Sequence, residues 1–367
     1  MSRRPELGYF EGEVDLCAPE TYTDCIAQTG PASLLPLAAY RSLSFAYLED
    51  ERIWTRDWVC IGTQRDIPQP GDLLPYTLGN HGIHVQRQED GSLRGAFNKA
   101  QHGGCRVVPL QCQGGRKTSC SFTSCGYSRD RGPITADELG DGASAMHQYL
   151  GLRPERLLPV RVQTLGELIF VNLDSEAGPL ATTDLGALPV VLEAEATRIA
   201  VHWREYDADW KLLGQHLLET GQGRSTIPDD DVFEVRSDAL LAFWGFPNLL
   251  LLAQGNESCL VLLQPTALGK TLCRIQLFST APAGDGDEQA LSDRWLALIH
   301  PRGIRAAAFC AQLQGLERPS PASVEHTPLQ TDPAGRWAQG CLVRRITAEA
   351  RYEGDLKLYG NVRNYLL

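Results

Sequence analysis

Apolar positions along the chain fall into two regimes. Phe45, Leu48, Ile53, Trp54 and Trp58 recur at spacings that predict a helix over residues 43–58, ending near a sheet. From there to about residue 174 the apolar runs are short and punctuated by turn residues. Val59-Cys60-Ile61-Gly62, Gly82-Ile83-His84-Val85-Gln86 and Leu168-Ile169-Phe170-Val171-Asn172-Leu173 read as strands. Glu89-Asp90-Gly91-Ser92 is a hairpin signal, because glycine tolerates the backbone a tight turn needs. The pattern predicts a small all-β domain over residues 41–178. It is preceded by an irregular leader, residues 1–40, interrupted by Pro19, Gly30, Pro31 and Pro36 and expected to pack on the C-terminal part of the chain.

A stretch rich in Gly, Pro, Thr and Asp, residues 174–189, marks the boundary to a second domain over residues 190–367. There, residues 200–206 read as a strand. Residues 209–221 place Trp210, Leu213, Leu217 and Leu218 on one helical face. The run 239–253 is broken by Gly245, Pro247 and Asn248, so it reads as two buried strands and is too short to span a bilayer. Strands follow over 258–263 and 271–278, then two helices over 287–299 and 304–313. Strands mixed with long helices predict an α+β domain whose antiparallel sheet grips a helix. Trp54, Trp58, Trp203, Trp210 and Trp244 lie in or beside apolar patterns and read as core, whereas His81 and His84 read as solvent-exposed.

Composition narrows the function classes. Of 367 residues, 34 are Lys or Arg and 45 Asp or Glu, a net charge of −11. A nucleic-acid binder needs a basic footprint, and an anionic membrane attracts basic segments, so neither partner is expected. The start, Met1-Ser2-Arg3-Arg4-Pro5-Glu6, carries charge with no apolar core behind it, and the expectation is a cytoplasmic protein. Eleven cysteines without an export signal are expected as reduced thiols. Their distribution is uneven: Cys105, Cys112, Cys120 and Cys125 fall within 21 residues.

Several segments, in order, resemble the large (alpha) subunit of Rieske non-haem iron ring-hydroxylating oxygenases. They are Ile53-Trp54-Thr55-Arg56-Asp57-Trp58, Asp66-Ile67-Pro68-Gln69-Pro70-Gly71-Asp72, residues 90–98, Leu158-Pro159-Val160-Arg161-Val162 and residues 166–174. In the second half, Asp209-Trp210-Lys211 resembles the family's Asn-Trp-Lys, and Phe246-Pro247-Asn248-Leu249 its Phe-Pro-Asn-Leu strand. The resemblance covers residues 40–320. It implies an all-β Rieske-like domain followed by a helix-grip (START-like) domain.

The ligand positions depart from the family pattern. A Rieske cluster takes two cysteines and two histidines from a Cys-x-His loop and a Cys-x-x-His loop. The resemblance puts Ala100 at the first cysteine and His102 at the first histidine. The second loop aligns in two ways. One places Phe122 and Cys125 at the ligand positions, and the other places Cys125 and Ser128 there. The mononuclear iron of the family takes two histidines and a carboxylate. Here the resemblance puts Gln222 and Ile227 at the histidines and Arg305 near the carboxylate. Glu219 alone matches, at the acid that in the family links one subunit's cluster to its neighbour's iron. Neither a 2Fe-2S cluster nor a mononuclear iron is therefore expected. His102, Cys105, Cys112, Cys120 and Cys125 supply soft ligands of the kind zinc takes; the alternative is a set of free thiols.

The expectation is a non-catalytic subunit that assembles with a catalytic Rieske oxygenase subunit, or with itself, in a trimeric ring. The alternatives are an enzyme with unusual metal ligation acting on a small hydrophobic substrate, and a small-molecule-binding protein.

Overall fold

The computed structural model describes residues 15–26, 32–79, 81–97, 132–139, 159–180, 196–218, 224–226, 231–237, 240–281, 287–315 and 330–348. These fall into two compact units. One takes the described residues up to Ile53 and those from Ala196 onward; the other takes those from Trp54 to Thr183.

The chain enters through a short strand, β1 (Ala32–Ser33), and two helices, α1 (Ala38–Arg41) and α2 (Leu43–Glu49). Ser42 caps α2 by accepting from the Phe45 amide at 3.2 Å. The expected helix to residue 58 ends sooner. It runs into a π-helical turn, Asp50–Trp54, and the next strand starts at Val59. The five-residue step from Leu48 to Ile53 is the reason: one wide turn keeps both side chains buried, at 8% and 0% exposure.

The unit beginning at Trp54 is a six-stranded antiparallel sheet. Its strands are β2 (Val59–Thr63), β3 (Leu73–Leu78), β4 (His81–Arg87), β5 (Leu93–Phe97), β6 (Pro159–Leu165) and β7 (Leu168–Asn172), in the order β2-β7-β6-β5-β4-β3. The Asp66 to Asp72 segment is held at both ends by its carboxylates. Asp66 accepts from the Thr63 amide at 2.7 Å. Asp72, 3% exposed, accepts from the Gln69 amide at 2.8 Å and the Ala136 amide, at the start of α3 (Ala136–Leu139), at 2.9 Å. Gly71 sits at φ +90° while its amide donates to Arg87 O, a backbone that a side chain would strain. The expected hairpin joins β4 to β5, with Gly91 at φ +80°. His84 corrects a sequence expectation: it lies in β4 between Pro75 and Ala96 and is 6% exposed. Burial, with Arg94 nearby, lowers its pKa to about 4, so it is neutral.

The other unit carries a seven-stranded antiparallel sheet. Its strands are β8 (Thr197–Tyr206), β9 (Arg224–Thr226), β10 (Val232–Arg236), β11 (Leu241–Gly245), β12 (Leu249–Gln254), β13 (Glu257–Ala267) and β14 (Lys270–Ser279). Their order is β8-β14-β13-β12-β11-β10-β9. The sheet centre is buried on both faces, which is why β12 reads Leu-Leu-Leu-Leu without alternation. Besides α1 and α2, the described residues of this unit carry α4 (Trp210–Leu217), α5 (Asp287–Gly315) and α6 (Pro333–Ile346). Two helices were expected over 287–313, but α5 is continuous through Pro301. Leu291, Trp295, Ile299, Gly303, Ala306, Cys310 and Leu313 form one buried stripe across the proline, so packing outweighs the single lost amide. A strand β15 (Gln330–Thr331) pairs with β1, and Gln339 of α6 binds Leu35 N, Cys25 O and Ser33 O. Among the described residues no helix is long and apolar enough to cross a membrane.

Candidate functional site

Helix α4 is fixed at both ends and along its length. Asp209 caps its start by accepting from the Lys211 amide at 3.0 Å, and the Asp209 amide donates to Cys310 Sγ at 3.3 Å. In the middle, a Cβ on Gly214 would come within 2.5 Å of the Trp244 ring, so only glycine allows this approach. At its end, Arg302 of α5 donates to Leu217 O at 2.7 Å, a cation placed on the carbonyl end of a helix. The ring of His216 lies 5.6 Å from Phe309, and its Nδ1 is 2.8 Å from Leu212 O. His216 thus packs between α4 and α5.

The C-terminal end of α4 thus meets the segment of α5 that carries Arg302 and Phe309. Arg305 is three residues from one and four from the other, on the flank of α5 next to this meeting point, and exposed. A guanidinium has no lone pair to give a metal and stays protonated. Arg305 itself therefore offers no ligand to a metal ion. Glu219, Gln222 and Ile227 lie outside the described residues. So do Ala100, His102, Cys105, Cys112, Cys120, Phe122, Cys125 and Ser128, between the end of β5 and the start of β6. Among the described residues, no group of three or more His, Cys, Asp or Glu side chains converges to hold a metal ion. The described cysteines form no disulfide with one another; Cys60, fully buried in β2, has its thiol pushed up to about 12 by burial and is an inert core residue.

A charged cluster not foreseen from the sequence lies at the other end of α4. Lys211 Nζ is 2.6 Å from Glu49 Oε1 and 2.8 Å from Asp209 Oδ1. The three residues are 5–6% exposed. The rings of Tyr40, Phe45 and Trp210 surround the ammonium at 5.3, 5.5 and 5.4 Å. A lysine inside an apolar helix face was the available signal; its partner Glu49, 162 residues away, left none. Elsewhere in the same unit, a groove of about 590 Å³ lies between β8 and the first turns of α5, where His202 Nε2 is 3.2 Å from Ser292 Oγ.

The fold has close counterparts. A crystal structure of the quaternary ammonium Rieske monooxygenase CntA with L-carnitine superposes over 88% of this chain and 98% of that one. The TM-score is 0.62 at 16% identity. Naphthalene 1,2-dioxygenase with indole bound superposes over 94% and 99%, with a TM-score of 0.59 at 13% identity. The architecture, two antiparallel sheets with few helices, is that of Rieske oxygenase alpha subunits.

In sequence, the chain is 31% identical over 136 residues to biphenyl 2,3-dioxygenase subunit alpha of Rhodococcus jostii (strain RHA1), covering 36% of this chain and 28% of that subunit. It is 29% identical over 137 residues to benzene 1,2-dioxygenase subunit alpha of Pseudomonas putida, covering 37% and 29%. The chain is related to Rieske dioxygenase alpha subunits, and these matches span less than a third of the length of those relatives. No protein-family model matches it.

Proposed function

We propose that this chain is a non-catalytic relative of Rieske oxygenase alpha subunits that completes an oligomer with a catalytic one. The observation that carries this is the identity of the residues that the sequence resemblance puts at the iron positions: Gln222, Ile227 and Arg305. Neither an isoleucine nor an arginine can ligate iron. Ala100 and Phe122, or Ala100 and Ser128 in the other alignment, leave the cluster positions short of ligands as well. The scaffold around α4 is held by Arg302, Gly214 and the Lys211 cluster, none of which is a metal contact. A subunit that keeps the scaffold and lacks the ligands retains surfaces for assembly, and obligate partners of that kind bury large areas. The cysteine and histidine cluster at residues 102–125 is, on this reading, a zinc staple or a set of free thiols rather than an electron carrier.

Co-expression with a catalytic Rieske alpha subunit of the same organism tests the proposal. Joint elution at the mass of a mixed oligomer, with no turnover of apolar aromatics by this chain alone, is the expected outcome. Turnover by the isolated chain with a reductase, or separate elution from every such subunit, would overturn it.

A further inference from the structure

We propose that Glu49, Asp209 and Lys211 form a buried latch, two carboxylates on one ammonium, that holds the α1–α2 segment on α4 most firmly when Glu49 carries a proton. The geometry gives the charge count. Lys211 Nζ lies within 3 Å of both carboxylates, Oδ2 of Asp209 being at 2.9 Å. No second cation among the described residues is recorded on either carboxylate. With both ionised, the cluster keeps one uncompensated negative charge among the rings of Tyr40, Phe45 and Trp210. Like charges that share a dry site cannot both ionise cheaply, so one takes up a proton.

Asp209 Oδ1 is engaged in capping α4, accepting from the Lys211 amide; the proton goes to Glu49. The other titratable groups facing the cluster do not supply the missing charge: Tyr40 from α1, Tyr22 from the leader and Cys310 from α5 are all neutral. Burial pushes Tyr22, Tyr40 and Cys310 upward, the last to about 12. For Glu49, burial first, with Asp209 adding to it, outweighs the pull of Lys211 and raises its pKa from 4.5 to about 7. For Lys211, burial acts downward, but Asp209 and Glu49 outweigh it and hold the ammonium charged.

The sign follows from linkage. A carboxyl whose pKa is higher folded than unfolded binds its proton more tightly in the folded state. Its contribution is fully present below about 4.5 and is lost as pH rises toward about 7. The test compares thermal melting of the full chain and of Glu49→Gln, which mimics the protonated acid, from pH 5 to 8. The wild-type midpoint is expected to fall relative to the variant as pH rises, with most of the change below pH 7. Parallel profiles would overturn the latch. Amide exchange of residues 38–49 in the wild-type chain, corrected for the intrinsic pH dependence, gives a reading that does not depend on the variant folding. Protection is expected to be greater at pH 5.5 than at pH 8, and equal or reversed protection would count against the proposal.

Discussion

Replacing Lys211 by methionine is expected to cost the unit that contains α4 about 3–5 kcal/mol of unfolding free energy, the range for removing one partner of a buried ion pair. The methionine fills much the same space but takes the cation away from Glu49 and Asp209, both buried, so that even with a proton on Glu49 a buried charge stays uncompensated. The loss therefore comes from uncompensated charge and not from a cavity. Neutralising the cluster altogether, with Glu49→Gln and Asp209→Asn added, is expected to recover a large part of the loss, because polar groups in an aromatic pocket cost far less than bare charges. Denaturant unfolding at neutral pH reads both effects. A loss below about 1 kcal/mol for the single variant would mean that the pocket is wet and the charges solvated.

Truncating Trp244 to alanine is the second large effect, with an expected loss of about 3–5 kcal/mol for a buried tryptophan. Trp244 is 0% exposed in β11, and its indole N–H donates to Pro247 O at 3.1 Å. Its ring lies edge-on to Trp337 at 5.3 Å and presses on Gly214 of α4. One side chain thus joins the sheet, α4 and α6, so the cavity opens where three elements meet. Gly214→Ala in the Trp244→Ala background should be tolerated far better than Gly214→Ala alone, because the added methyl then meets empty space. Additive losses in that double variant, measured by denaturant unfolding, would show that the two residues do not contact each other.

Much of the fold was legible because the strands carry their own punctuation. Gly91 marked the β4–β5 turn, and Gly245 with Pro247 and Asn248 separated β11 from β12. The helix at Trp210 was legible from its apolar face. What the sequence hid were contacts at long range. Pro301 reads as a break, yet the buried stripe from Leu291 to Leu313 carries α5 through it. Residues 333–346 were not read as a helix, although Asp332 accepting from the Gly335 amide, followed by Pro333, is a start signal that could have found α6. His84 looked exposed because one strand position cannot reveal which face is covered.

The candidate site was legible in a different way. The ligand positions came from the resemblance, and of these Arg305 alone falls among the described residues, exposed beside the end of α4. Local signals could not reveal which long-range contacts hold that helix. Arg302 on Leu217 O, and Glu49 on Lys211, join residues 85 and 162 positions apart. No spacing rule reaches that far.

On the proposed function, this scaffold works without the family's iron centres. Its most direct test is the iron, zinc and acid-labile sulfide content of the anaerobically purified chain, with a visible spectrum of the same sample. Iron and sulfide are expected well below one per chain, with no brown chromophore and with or without zinc. Stoichiometric iron and sulfide with a brown chromophore would contradict it and return the chain to the oxygenases with a rearranged set of ligands.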